Sequence, residues 1–267
     1  MSIKRLATAA VGLPLLALLI FKGTPFLFAC FVLLLVFLGL TEFYGMAIPG
    51  HRLAGALAAM LGSLLPLTLL SRDPLQFPAA LTALLFLFSL HFLVRFQDIR
   101  GVTGELAILC FGFLYLPLLL SHLILIRSAP NGVQWIFLLL VIVMTGDSAA
   151  YYVGSSLGRK KLYPSVSPNK SVEGAVGGLA GSLAGALLFK AAFLPEMGIL
   201  DCIAAALFTS VAAQVGDLFE SLLKRSCGVK DSGTIIPGHG GILDRLDSIL
   251  FAAPTLYWYL HFMVLSR

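Results

Sequence analysis

The sequence predicts an all-α, polytopic integral membrane protein of about nine transmembrane helices with a cytoplasmic N-terminus. Composition, the spacing of apolar blocks and the distribution of basic residues predict it. Of 267 residues, 59% are hydrophobic and 12% charged, against roughly 45–50% and 25% in soluble domains. The apolar residues fall in blocks, and a crossing helix needs about 20 of them in succession. Nine candidate spans result, at approximately residues 6–21, 25–46, 53–71, 77–95, 104–126, 134–156, 173–194, 199–223 and 247–265.

The first block follows Lys4 and Arg5 as a secretory signal would, but no convincing small-x-small cleavage site precedes Lys22 and another block begins at once. It reads as a retained helix. With the N-terminus inside, Lys4, Arg5, Arg52, Arg95, Arg100, Arg159, Lys160, Lys161, Lys170, Lys224, Arg225, Lys230 and Arg245 lie on the cytoplasmic side, leaving only Lys22, Arg72, Arg127, Lys190 and Arg267 outside. That excess is the positive-inside bias, and one helix more or fewer would scramble it downstream. Both long polar stretches, 157–172 and 224–246, then face the cytoplasm. Connections are otherwise short, so the chain divides into N-terminal scaffold helices, 1–130, and a C-terminal catalytic region with its cytoplasmic loops, 131–267.

The net charge of +5 follows from this topology and does not imply nucleic acid. Cys30, Cys110, Cys202 and Cys227 are scattered without a CxxC pair, which excludes a zinc site or disulfide framework of the usual spacing. Internal repeats of the kind that build secondary transporters are not evident. The small residues Gly174, Gly177, Gly178, Gly181 and Gly185 are read as a helix-packing stripe.

Acidic residues inside apolar spans are costly and point to function. Glu42, Asp147, Asp217 and Glu220 are the candidates; Asp201 sits at a helix start, where the helix dipole accounts for it. Glu42 is left open between a structural and a functional role. Asp147, Tyr151 and Gly154 share one helical face, which needs a wet or protein-lined surrounding. Gln214, Asp217, Glu220, Ser221 and Lys224 form one stripe. Such a stripe cannot face lipid and is expected to line a cavity open to the cytoplasm.

Beyond that stripe, Lys224, Arg225, Lys230 and Arg245 are cations suited to phosphate. The turn Pro237-Gly238-His239-Gly240-Gly241 lets backbone N–H groups approach an anion. Asp244 and Asp247 lie on one face at the start of the last span. With Asp217 they offer oxygen ligands for a hard cation such as Mg²⁺. This set points to metal-assisted phosphoryl or nucleotidyl transfer.

From Ser221 to Asp247 the chain fills every fixed position of S-x-hydrophobic-K-R-x4-K-D-x-small-x2-hydrophobic-P-x-H-G-G-hydrophobic-x-D-R-hydrophobic-D. It thereby resembles the phosphatidate cytidylyltransferase, or CDP-diacylglycerol synthase, family. The resemblance extends to Gly146-Asp147-Ser148-Ala149-Ala150-Tyr151, and to Ser167-Pro168-Asn169-Lys170-Ser171-Val172-Glu173-Gly174, where Asn169 replaces a usually basic residue. The first five spans carry no matching motif.

The resemblance implies a nucleotidyltransferase that joins CTP to phosphatidic acid, giving CDP-diacylglycerol and pyrophosphate for phospholipid synthesis. It implies Mg²⁺, with provision for a second cation, held by Asp217, Asp244 and Asp247. Catalysis would rest on these together with Lys224 and Arg245. Ser221, Arg225, Lys230, Asp231, His239, Lys170 and Asp147 would contact the substrates, His239 through a phosphate. The setting is a bacterial inner membrane, with membrane lipid and a second copy of the chain as partners and no nucleic acid. A CTP-dependent lipid kinase would share the setting but release CDP. A transporter using Asp147, Asp217 and Glu220 as ion relays is disfavoured by the missing repeat and by the basic, glycine-containing loop.

Overall fold

The computed structural model describes residues 3–70, 73–96, 98–235 and 240–264. Among the described residues the protein is helical, with one short hairpin. Its α-helices are α1 (Ile3–Lys22), α2 (Pro25–Ala47), α3 (Arg52–Gly62), α4 (Gln76–Arg95), α5 (Val102–Phe113), α6 (Leu119–Ser128), α7 (Gly132–Leu157), α8 (Val172–Phe193), α9 (Ile199–Ser226) and α10 (Leu243–Tyr259). Among the described residues, seven helical stretches are long and apolar enough to cross a membrane: Pro25–Ala47, Arg52–Leu70, Gln76–Arg95, Val102–Ser128, Gly132–Leu157, Val172–Phe193 and Ile199–Ser226. This is a multi-pass membrane protein. Large apolar side chains such as Phe86, Leu90 and Leu93 on α4 are exposed, as lipid-facing residues should be.

Three apolar blocks are not single α-helices; the last runs from α10 into a π turn over Leu260–Val264. The third stops at Gly62 and continues as a 3₁₀ turn over Leu65–Leu70, because Pro66 disfavours α-helix in the residue before it. The fifth joins α5 to α6 through a π turn, Leu114–Leu118, that contains Pro117. Proline has no N–H to give the carbonyl four residues back and its ring crowds that carbonyl, so the helix widens there.

The chain divides into two compact units. The first comprises 1–125 and 231–245, the second 126–230 and 246–267. In the first unit α2 packs on α3 and α5, burying Val32, Val36, Leu40, Phe43, Leu109 and Phe113. The Tyr44 hydroxyl crosses from α2 to donate to the Leu109 carbonyl at 2.9 Å. A Cβ at Gly112 would clash with that hydroxyl oxygen, so glycine makes room for the ring.

In the second unit α7 and α8 lie against each other along their small residues. A Cβ at Gly174 would meet the Ala150 carbonyl at 2.9 Å, and one at Gly181 would clash with the Ala149 Cβ. The glycine stripe is thus a close-packing seam, as its sequence implied. Ser182 Oγ donates across the seam to the Ile142 carbonyl at 2.8 Å. Helix α9 joins through Gln214, whose Nε2 donates to the Ala175 carbonyl at 3.2 Å. Helix α10 approaches α9 at Gly216, where a Cβ would stand 2.6 Å from the Asp247 carbonyl oxygen, and Phe219 stacks on Phe251.

One departure from the sequence expectation falls next to the polar residues. The stretch 157–172 contains an antiparallel hairpin, β1 (Lys161–Tyr163) with β2 (Ser167–Ser171), pairing Lys161 with Ser171 and Tyr163 with Ser167. The final helix begins at Leu243, and Asp244 is helical, as its spacing from Asp247 implied.

Candidate active site

In the second unit the polar residues of α9 sit on one face. Gln214, Asp217, Ser221 and Lys224 are half-buried and Glu220 is fully buried, whereas Phe208, Val211, Val215 and Leu222 are exposed. The helix therefore turns its polar stripe towards protein and its apolar face outward. Sequence spacing alone required this.

The hairpin carries Lys170 to this stripe. Ser171 caps α8 by accepting from Gly174 N at 3.1 Å. The Glu173 carboxylate accepts from Arg159 N at 3.1 Å and Lys160 N at 3.2 Å. The end of α7 and the start of α8 are thereby pinned together, and the strand between them presents Lys170. Its Nζ lies 2.6 Å from Asp217 Oδ2, in a pair about a third exposed. One turn on, Lys224 Nζ meets Glu220 Oε2 at 2.5 Å in a nearly dry setting.

Asp247 adds a further carboxylate. Its Oδ1 accepts from Ser248 N at 2.7 Å, and the charges of Asp217, Glu220 and Asp147 all act on it. Asp147 and Tyr151 occupy an exposed face of α7. Arg225, at the end of α9, is exposed and donates from Nη1 to the Val229 carbonyl at 3.1 Å. Lys230 follows it and is also exposed.

In the first unit, Asp231 and Arg245 are exposed while Ser232 and Asp244 are buried. Asp244 Oδ2 accepts from Ser232 N at 3.0 Å, Ser232 Oγ at 3.0 Å and Gly241 N at 2.8 Å. Glu42 of α2 joins the same network. It is 7% exposed, and it accepts from Ser232 Oγ at 3.0 Å, Ile242 N at 3.0 Å and Leu243 N at 2.9 Å. Sequence alone marked Glu42 as out of place in a span. Partners about 200 positions away in the chain could not be read from it. His239 lies outside the described residues.

The residues expected to hold a metal are placed unevenly. Among the described residues, no group of three or more His, Cys, Asp or Glu side chains converges as a ligand set. Asp217 faces Lys170, Asp247 stands among carboxylates, and Asp244 holds backbone and hydroxyl donors. Mg²⁺ commonly takes only one or two protein carboxylates, completing its shell with water and substrate phosphates. The half-buried, carboxylate-rich surroundings of Asp217 and Asp247 fit that habit.

Helices long and apolar enough to cross a membrane, with carboxylates and lysines paired along one of them, define a membrane protein with a polar face turned towards its own helices. The chain belongs to the cytidylyltransferase family, whose model matches residues 3–263. This is the family that the pattern from Ser221 to Asp247 resembles. A phosphatidate cytidylyltransferase of Bacillus subtilis is 41% identical over 157 residues, 58% of this chain and 58% of that one. One from Staphylococcus epidermidis is 35% identical over 161 residues, covering 60% and 58%. The uncharacterized protein YnbB of Escherichia coli is 32% identical over 170 residues, covering 62% and 57%. The matched part spans less than two thirds of the length of each relative.

Proposed function

We propose that the protein transfers the cytidylyl group of CTP to phosphatidic acid, giving CDP-diacylglycerol and pyrophosphate, at a site facing the cytoplasm of a bacterial inner membrane. The observation that carries the reading is the polar face of α9, where Lys170 is brought to Asp217 beside Asp247. Family membership and the names of the two cytidylyltransferase relatives support the same reaction.

In this reading a phosphate oxygen of phosphatidic acid attacks the α-phosphorus of CTP. The new P–O bond forms as the bond to the β-phosphate bridge breaks, and pyrophosphate leaves with the electron pair. A phosphate nucleophile is already largely ionised near pH 7, so no strong base is needed. What the site must supply is positioning and charge stabilisation. Asp217 and Asp247 hold Mg²⁺, and Asp244 stays in the ligand set on the sequence pattern. When bound, the ion neutralises phosphate charge. Lys170, Arg225, Lys230 and Arg245 bind phosphate oxygens as charge-assisted donors; Ser221, Asp231, Asp147 and His239 contact the substrates. Lys224, paired with buried Glu220, sets the charge at the cytoplasmic end of α9. Residues 131–267 carry the chemistry and 1–130 the scaffold, to which Glu42 is the exception.

The test is an assay of purified protein in detergent with Mg²⁺, CTP and phosphatidic acid. Release of pyrophosphate together with CDP-diacylglycerol is the expected result. CDP and a phosphorylated lipid would instead identify a CTP-dependent lipid kinase, and neither product with either lipid class would sink the reading.

A further inference from the structure

The first half of the chain carries no motif, yet it sends one carboxylate into the signature segment. Glu42 lies near the cytoplasmic end of α2 as the charge pattern orients it, followed by Phe43 and Tyr44, which are buried in the helical core. Its two oxygens reach two parts of that segment: the Ser232 hydroxyl in one, and Ile242 N and Leu243 N in the other. The last two are among the N–H groups at the start of α10 that no helical carbonyl can satisfy. A carboxylate placed there also meets the positive end of the helix dipole. Glu42 is therefore a cap for α10 supplied from another helix.

The surrounding residues are shaped to admit it. A Cβ at Gly233 would stand 2.5 Å from Glu42 Oε1 and 2.8 Å from its carboxyl carbon. One at Gly241 would clash with Glu42 Oε2. Neither glycine has a left-handed backbone, so space beside Glu42 accounts for them better than a turn conformation. Ser232 Oγ lies 3.0 Å from both Glu42 Oε2 and Asp244 Oδ2. One hydroxyl thus bridges the carboxylate from α2 to the carboxylate at the start of α10. Four backbone N–H groups, those of Ser232, Gly241, Ile242 and Leu243, serve the two acids.

We propose that Glu42 is a positioning residue for the transfer reaction: it fixes where α10 begins and thereby holds Asp244, Ser232 and the stretch from Gly241 to Leu243 in their working arrangement. The catalytic part of this inference rests on the cytidylyl-transfer reading; the capping part does not. Glutamine in place of Glu42 keeps the size but turns an NH₂ group towards a donor, and so removes at least one of the three bonds.

Two measurements on the full chain in detergent test it. The first is hydrogen exchange read on peptides covering Gly240 to Asp247. In Glu42→Gln the amides of Ile242 and Leu243 are expected to exchange about tenfold faster or more, since charge-assisted bonds there are lost and the helix start opens locally. Unchanged exchange overturns the cap whether or not the protein makes CDP-diacylglycerol. The second is kcat per folded molecule, counted from the monodisperse fraction. Glu42→Gln is expected to lower it on the order of 10–100-fold with a smaller change in KM for CTP, as a misplaced catalytic group does. Gly233→Ala crowds Glu42 and is expected to lower kcat as well. In a Glu42→Asp background, where the carboxylate is withdrawn, the same alanine is expected to cost far less. Equal losses in the two backgrounds, or wild-type kcat in both Glu42→Gln and Glu42→Asp, overturn the positioning role. If Glu42→Gln does not fold, Ser232→Ala, which deletes the bridging hydroxyl alone, gives the same two readouts. Wild-type protein that releases no pyrophosphate refutes the proposed reaction and leaves the exchange measurement standing.

Discussion

Two lysines of the polar face are each ion-paired, and their surroundings predict opposite behaviour. The Lys170–Asp217 pair is about a third exposed on both sides. Exposed pairs contribute roughly 0.2–1 kcal/mol because water screens them and both side chains lose freedom. Lys170→Ala should therefore leave thermal stability almost unchanged, while removal of a phosphate-binding cation lowers turnover by about 10²–10³-fold. Full activity in that variant would remove Lys170 from the site. Glu220 is fully buried and Lys224 nearly so. Deleting one partner of a buried pair leaves a charge without its counterion and costs about 3–5 kcal/mol. Lys224→Met should thus unfold at markedly lower denaturant, and the double variant Glu220→Gln/Lys224→Met should recover most of the loss. If the double variant is no more stable than Lys224→Met, the pair is not what holds that end of α9. Periodicity made the α9 stripe legible from the sequence, since positions three and four apart share a helical face. Which cation meets which acid was not legible, because Lys170 arrives on a strand of a hairpin that hydropathy does not reveal.

At the level of elements, the seam between α7 and α8 depends on residues that are small on both sides. A methyl at Gly181 would clash with the Ala149 Cβ and stand 2.8 Å from the Thr145 carbonyl oxygen. Backbone cannot yield as a flexible side chain can, so the helices must part. Overpacking of this kind costs about 1–3 kcal/mol, and Gly181→Ala should lower the melting temperature in detergent. Ala149→Gly in the same chain should restore part of it. A methyl at Gly45 of α2 would meet nothing within 4 Å, and Gly45→Ala should be neutral or stabilising by up to about 1 kcal/mol. Equal losses at Gly181 and Gly45 would mean that the seam is not close-packed. Most helices were legible as apolar blocks of bilayer length. The breaks at Gly62 and Pro117 were not, because the residues beyond each stay apolar. The hairpin escaped because Lys161–Tyr163 and Ser167–Ser171 show no apolar alternation; Glu173 and Ser171 set its geometry through local hydrogen bonds. The cap of α10 escaped for a different reason: Glu42 comes from α2.

For the whole molecule, the charge bias makes a definite statement about sides. Helix α9 has 28 residues and so extends roughly 42 Å, the full thickness of a bilayer with its headgroup layers, about 40–45 Å. Asp201 near its start accepts from the Tyr259 hydroxyl at 3.2 Å, and Lys224 and Arg225 lie at its other end. One end must therefore emerge on each side of the membrane. The proposed topology, drawn from the positive-inside bias, puts Lys224, Arg225 and Lys230 on the cytoplasmic side, where the proposed reaction would find CTP. Cys227 directly follows α9 and is half-buried, whereas Cys30, Cys110 and Cys202 lie within apolar helices. With those three replaced by serine or alanine, Cys227 becomes a single reporter of sidedness. A membrane-impermeant maleimide should label it in inside-out vesicles and leave it unlabelled in intact spheroplasts until the membrane is permeabilised. A cysteine introduced at Glu196, on the exposed turn between α8 and α9, should show the reverse pattern. Labelling of Cys227 from outside would invert the topology and separate the α9 cations from cytoplasmic CTP. The proposed reaction could not then proceed at this site, however well the residues match.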